Sequence, residues 1–246
     1  MKNAETLEQM RKMKLTGMHR GFKTALENQS LSTLTTDELL SMLVEQEWDD
    51  RQNRMVERSL RNAKFRYKTC FEQISFTEER GLDKNQINRL MSCDYINKAE
   101  NVIITGSTGT GKSFLGSALG NQACIAGYKV FYANTNRLFT QIKMAKADGS
   151  SVKELSRLEK TDLIILDDFG IQPFDNQSRL ILMEMIEDRH GKRSTVFTTQ
   201  VPVPHWFEII GDETIADAIL DRVVHDAHRI ELKGDSLRKK GRPKIE

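Results

Sequence analysis

Between residues 101 and 120 the chain reads NVIITGSTGTGKSFLGSALG. An apolar run stops at a glycine-rich stretch, and beyond Lys112 and Ser113 the apolar spacing of a helix begins. Gly106, Gly111, Lys112 and Ser113 satisfy the pattern G-x-x-x-x-G-K-[ST]. Few features restrict a fold as strongly, because this pattern works as a tight turn pinned between a strand and a helix. Glycines let the backbone curl until successive N–H groups converge on an anion. The helix then offers the positive end of its dipole to the same point. The turn formed by Gly106, Ser107, Thr108, Gly109, Thr110 and Gly111 is therefore expected to cradle a nucleoside triphosphate. Lys112 is expected to reach the β- and γ-phosphates, and the Ser113 hydroxyl to ligate Mg²⁺.

Such a turn needs an acid at the end of a neighbouring strand. Residues 163–170, LIILDDFG, supply four apolar residues and then Asp167 and Asp168. Asp167 is expected to hold the metal and Asp168 to polarise the attacking water. The next apolar run ends in Thr198, Thr199 and Gln200. Among these, Thr199 is the expected contact to the γ-phosphate.

The rest of the chain agrees with a layered α/β fold. Strands are expected at 101–105, 129–133, 162–166 and 194–198, with helices at 112–126, 135–147 and 176–189. Alternation of this kind implies a parallel sheet with helices on both faces. Two short helical patterns follow Pro202 and Pro204. Residues 1–70 read instead as a small all-helical domain, with 71–246 forming the nucleotide-binding domain. Thr35 and Glu38 make a capping box, and 37–68 holds neither Pro nor Gly, as one long helix or two abutting ones require. Three well-separated cysteines, Cys70, Cys93 and Cys124, have no metal-ligand spacing and suggest no disulfide framework. The N-terminus lacks the apolar core of a signal peptide and no stretch reaches membrane length, so a cytoplasmic protein is expected.

A net charge of +2 conceals clusters. From Arg51 to Lys68 there are seven Lys and Arg residues and one acid, Glu57. Arg51, Arg54, Arg58 and Arg61 fall on one side of a helix, opposite Val56, Leu60, Ala63 and Tyr67. With Lys64 and Lys68 they form a stripe suited to the phosphate backbone of DNA, since planar guanidinium groups match phosphate oxygens. The C-terminal RKKGRPK is a second basic element, with a Gly-Arg-Pro core like that of minor-groove hooks.

Taken in order, GSTGTGKS, LIILDDFG, TTQ with VPVPHWFEII, and ADAILDRVVHDAHRIELKGDSLR (216–238) resemble the AAA+ ATPases. Within these they are most similar to the IstB/DnaC-like group and to the IstB transposition helpers. The resemblance spans residues 70–240 and implies a P-loop AAA+ fold binding ATP and Mg²⁺. It implies that Arg222 is presented to a neighbouring subunit's γ-phosphate and that Arg238 contacts the nucleotide from a small lid region. Initiator-type relatives suggest an inner DNA-binding surface at Lys143 and Lys146. Asp168 stands where many of these proteins carry Glu, and the shorter carboxylate suits a slow, switch-like ATPase. The function implied is an ATP-dependent DNA-binding helper that forms a homo-oligomer on duplex target DNA and delivers it to a cognate transposase. A helicase loader of the DnaC kind shares every one of these ATPase motifs. A small-molecule kinase would leave the arginine stripe unused.

Overall fold

The computed structural model describes residues 2–74, 76 and 80–237. The chain forms two compact units, 1–58 and 59–246, and the division falls inside a helix rather than at the expected boundary near residue 70.

The first unit contains α1 (Lys2–Lys12), α2 (Thr16–Glu27) and most of α3 (Thr36–Ala63). The capping box opens α3: the Thr35 amide donates to Glu38 Oε2 at 2.8 Å and the Glu38 amide to Thr35 Oγ1 at 3.3 Å. Helix α2 has no side-chain cap of its own, and α3 supplies one. Glu47 is buried and accepts from the Gly17 and Met18 amides at 2.8 and 3.2 Å, satisfying donors that a helix N-terminus leaves open. Burial would raise the Glu47 pKa, but the Arg51 side chain and these two amides outweigh it and hold it below the usual carboxylate range.

The α2–α3 approach depends on Gly17. A β-carbon there would lie 2.3 Å from the Gln46 carbonyl oxygen and 2.6 Å from Glu47 Cα, both backbone atoms that cannot turn aside. Gly17→Ala is expected to destabilise this unit by about 1–3 kcal/mol. Amide hydrogen exchange in α2 of the whole chain should then accelerate about 5- to 150-fold. Unchanged exchange would show that the helices separate freely.

The second unit is a parallel five-stranded sheet in the order β2-β3-β4-β1-β5. After α4 (Lys84–Met91) and α5 (Asp94–Asn97) come β1 (Val102–Gly106), α6 (Lys112–Ile125), β2 (Val130–Asn134), α7 (Thr135–Ala147) and α8 (Ser151–Glu159). Then follow β3 (Leu163–Phe169), α9 (Asn176–Arg189), β4 (Ser194–Thr199), α10 (Trp206–Ile210), α11 (Glu213–Val224) and β5 (His228–Leu232). All pairings are parallel. The expected strands are present, and β5 is an addition that the charged run HRIEL concealed.

Helices cover both faces of the sheet, so its strands read as unbroken apolar runs. Successive residues nevertheless go to opposite cores. Val102, Ile104, Ile165 and Val196 pack with Leu115 and Leu119 of α6. Ile103, Ile164, Leu166 and Phe197 pack with Phe169, Leu182 and Trp206 on the other face. At one edge the buried Arg189 is satisfied by carbonyls of Leu158, Thr161 and Ser194 and by the Thr195 hydroxyl. Burial, with help from Arg193, brings its pKa down to about 9.

Helix α3 ends at Ala63, short of the expected limit at 68. Lys64 takes a left-handed conformation (φ 57°), which stops the helix and sends residues 65–67 across the second unit. Phe65 lies against Gly120 of α6, where a β-carbon would come within 2.4 Å of the ring, and meets Tyr132 edge-on at 6.1 Å.

Candidate functional site

In a sheet of this order, ligands collect at the carboxyl ends of the strands. The register brings those ends level: Thr105 pairs with Thr199, Thr199 with Phe169, and Asn134 with Asp167. The glycine-rich turn leaves the end of β1 and runs into the first turn of α6. Gly106 (φ 149°) has Leu232 carbonyl oxygen 2.4 Å from where a β-carbon would be. Gly109 (φ 86°) has the Ser236 side chain and backbone over it. Both must lack a side chain for the turn to fit beneath the end of β5 and the segment that follows it.

The turn is internally braced. Thr110 Oγ1 donates to the Ser107 carbonyl at 2.8 Å, and Arg80 Nη2 to the Thr110 carbonyl at 3.0 Å. The buried Lys112 places its ammonium 2.7 and 2.8 Å from the Gly106 and Ser107 carbonyls. Beside it lies a cavity of about 400 Å³, whose lining includes Thr108, Gly109, Gly111, Lys112, Ser113 and Asp168. That volume suits a nucleotide-sized ligand. Tyr67 and Phe114 add aromatic wall, and Leu237 closes one side with its amide on the Gly109 carbonyl at 2.9 Å. Arg238, the next residue, and the basic RKKGRPK segment lie outside the described residues.

At the end of β3 the two aspartates part company. The strand pairing shifts between Leu166 and Phe169, and Asp168 adopts φ 58°. Asp167 is 1% exposed and fully engaged. One oxygen accepts from the Thr198 hydroxyl, and the other from the Tyr132 hydroxyl at 2.5 Å and from Arg66 Nη1 at 3.2 Å. Burial and the adjacent Asp167 carboxylate keep the Tyr132 hydroxyl protonated by driving its pKa upward. Asp168 accepts from Arg66 Nη1 at 3.3 Å and from Asn134 Nδ2 at 3.2 Å, while its amide donates to Thr198 Oγ1 at 3.2 Å. The donor set fits Mg²⁺, a hard cation that takes carboxylate and hydroxyl oxygen. Ser113 and Asp168 face the shared cavity, and a positive group, Arg66, already stands against both carboxylates.

Thr199 departs from expectation. It is fully buried, donates to the Phe169 carbonyl at 2.8 Å and accepts from the Val201 amide at 3.0 Å, so it faces away from the cavity. Its neighbours take the two sides of the expected role. Thr198 holds the aspartates, and Gln200 lines the cavity and accepts from the Thr108 hydroxyl at 2.7 Å.

The arginine stripe is also less free than its spacing suggests. Arg51 meets Glu47 at 2.7 Å and Arg54 meets Asp50 at 2.8 Å. These acids lie one helical turn before the basic run, just outside the window in which acids are nearly absent. Arg58 and Arg61 are exposed with no ion pair among the described residues. Lys143 and Lys146 are likewise tied, to Asp175 at 2.7 Å and Glu184 at 4.0 Å. Arg222, on α11, meets Glu187 at 2.8 Å and donates to the Ala218 carbonyl at 2.9 Å. It does not line the cavity of its own chain.

Arg66, Tyr132 and Asn134 are site residues that the motifs do not mark, whereas Gln200 stands at the strand end where a polar group is expected. Arg66 stood in the sequence only as one member of a basic run.

The chain is similar to known proteins along most of its length. Residues 8–245 match a family model described as IstB-like ATP binding protein. An insertion sequence ATP-binding protein of Sinorhizobium fredii is 43% identical over 97% of this chain and 98% of its own length. The insertion sequence IS21 ATP-binding protein of Pseudomonas aeruginosa is 31% identical over 90% of this chain and 84% of its own. Among solved structures, the DnaC helicase loader is similar with a TM-score of 0.52 and 19% identity, covering 61% of this chain and 87% of that one. At that identity the likeness concerns the fold. Among the described residues, no helix is long and apolar enough to cross a membrane.

Proposed function

The chain belongs to the family of IstB-like ATP binding proteins, and on that premise we propose that it is an ATP-dependent DNA-binding helper of transposition. It oligomerises on duplex target DNA, delivers that DNA to a cognate transposase and is released when ATP is hydrolysed. The observation that carries this reading is the convergence of the phosphate turn, Lys112 and Asp168 on one nucleotide-sized cavity, with the buried Asp167 directly beside Asp168 in the chain. That cavity lies in a chain matched almost end to end by insertion-sequence proteins. The family match over residues 8–245 favours this reading over a helicase loader, whose likeness is one of fold.

The residues have distinct tasks. The amides of residues 107–111 and the N-terminus of α6 receive the phosphates. The Lys112 ammonium exchanges two loop carbonyls for phosphate oxygens. Mg²⁺ held near Ser113 and Asp167 would supply positive charge against the phosphates. Asp168 orients a water whose oxygen forms a bond to the γ-phosphorus as the bond to the β–γ bridging oxygen breaks. The proton of that water passes to the carboxylate or to solvent. Thr108 and Gln200 join the turn to the end of β4, so γ-phosphate loss is felt at both.

Arg222 supplies the link between subunits. To reach a neighbour's γ-phosphate it gives up Glu187, exchanging one anion for another that carries more charge. The test is the size of the particle formed on a duplex of a few tens of base pairs, with ATP, with ADP and with Arg222→Ala. A large complex that needs ATP, duplex and Arg222 together is expected. A species that stays small in all three would remove both the assembly and the role of Arg222.

A further inference from the structure

Next to the nucleotide cavity lies a second one of about 550 Å³, along the end of β2 and the start of α7. Among the described residues, Arg66 and Asp168 line both. Lys64, Arg66, Arg137 and Arg157 stand on its wall against two carboxylates, those of Asp167 and Asp168. Arg66 alone already engages both of these acids. Lys64 and Arg137 are exposed and form no ion pair among the described residues. Arg157 lies 4.6 Å over the Phe131 ring, and its other partner is the exposed Glu154 at 2.9 Å. Lys64 also borders a neighbouring cavity with Arg61 and Lys68, so the positive lining continues past it.

The cavity is thus a cationic recess in which Lys64 and Arg137 have no acidic partner among the described residues. It adjoins the acids of the nucleotide site, with one arginine in the shared wall. We propose that it receives the backbone phosphates of duplex DNA on Lys64, Arg137 and Arg157. Arg66 is exchanged between the aspartates and a DNA phosphate. The inference rests on the function proposed above and names the surface and the regulation that function needs. Arg66 is the cation that offsets Asp167 and Asp168. A divalent cation that arrives with the nucleotide would supply positive charge to the acids, so that their hold on Arg66 weakens and it becomes available to phosphate in the recess. Nucleotide then raises DNA affinity, and by linkage DNA raises nucleotide affinity by the same factor. The arginines at 51 and 54 are poorer rivals for this role, since their carboxylate partners, Glu47 and Asp50, are largely buried and held in place, whereas Glu154 beside Arg157 is exposed and can swing away.

The experiment is fluorescence anisotropy of a labelled duplex with the full chain, over a range of salt, with and without Mg²⁺ and a non-hydrolysable ATP analogue. Arg137→Ala with Arg157→Ala should weaken DNA binding by about tenfold or more and reduce the salt slope by about 2. Analogue binding should remain within about twofold of the unsubstituted chain, less than a third of the free energy of a tenfold change. Lysine at both positions should restore most of the loss, because backbone contact requires charge rather than shape. Arg137→Glu, a single exposed change, repeats the test without disturbing the Phe131 stack. Arg51→Ala with Arg54→Ala should bind DNA normally. In Arg66→Gln the difference between the nucleotide-bound and nucleotide-free affinities should vanish.

Groove variants that bind DNA as tightly as the unsubstituted chain would overturn this inference and leave the proposed function standing. A chain that binds the analogue but no duplex at all would overturn both. Calorimetry with inorganic phosphate separates the two sources of this chemistry. Phosphate binding lost in the groove variants, with DNA binding intact, would make the recess a site for free phosphate and overturn its assignment to DNA.

Discussion

Asp167→Ala is expected to cost the second unit about 2–5 kcal/mol of stability and to abolish ATP hydrolysis. The carboxylate is 1% exposed and receives hydroxyls from Tyr132 and Thr198 as well as the Arg66 guanidinium. Both hydroxyls are buried, so removing their acceptor strands two donors away from water, at about 1–3 kcal/mol each. Arg66 is 42% exposed at its side chain and can turn to solvent, so its share of the cost is small. Asp167→Asn separates the two consequences. The amide keeps the size and one good acceptor, and about 1–2 kcal/mol of loss is expected. Hydrolysis should still fall by more than about 100-fold, because the charge needed beside the metal is gone. Denaturant titration followed by fluorescence of the buried Trp206, alongside ATP turnover, checks both. An alanine variant of normal stability would contradict the bonding just described. An asparagine variant with normal turnover would remove Asp167 from the chemistry.

For Lys112→Ala the expected result is the reverse combination: nearly normal stability and a nucleotide affinity about 100-fold lower, equivalent to ~2.7 kcal/mol. The ammonium sits on the Gly106 and Ser107 carbonyls at 2.7 and 2.8 Å. Losing these charge-assisted bonds is offset by no longer burying a charge, so the net change should stay within about 1 kcal/mol. The phosphates of ATP, by contrast, lose the one lysine that the turn directs toward them. Titration with a fluorescent ATP analogue measures the affinity directly. Denaturation provides a second reading, since ligand at 100 times its dissociation constant adds about 2.7 kcal/mol to a chain that binds it. The variant should show almost none of this gain. Unchanged affinity would place the nucleotide somewhere other than this turn.

The two variants probe parts of the site that differ in how visible they were before the structure. Lys112 lies within an eight-residue pattern whose geometry is local. A strand, five turn residues and a helix start must be contiguous for backbone amides to converge, so that pattern carries its own structural context. The same holds for the aspartates, which follow directly on a run of buried strand residues. The partners of Asp167 have no such local signature. Tyr132 is 35 residues away, Thr198 31 and Arg66 101. They meet because β2 and β4 flank β3, and because Lys64 ends α3 early and turns the chain across the sheet.

What the amino-acid sequence determined by itself was therefore whatever a short segment can enforce. This includes the alternation of strands and helices, the phosphate turn, the acid pair, the capping box of α3 and the family to which these blocks belong. Tertiary structure alone decided which neutral and cationic groups attend the acids and which basic residues remain available. Arg51 and Arg54 were withdrawn by acids one turn upstream, whereas Lys64 and Arg137 were brought to one recess from distant segments. It also decided between Thr198 and Thr199. An exposed strand shows its faces through alternating polarity, but β4 is buried on both sides from Ser194 to Thr199. With both faces covered, alternation disappears from the sequence, and only the packed sheet determines which threonine meets the site.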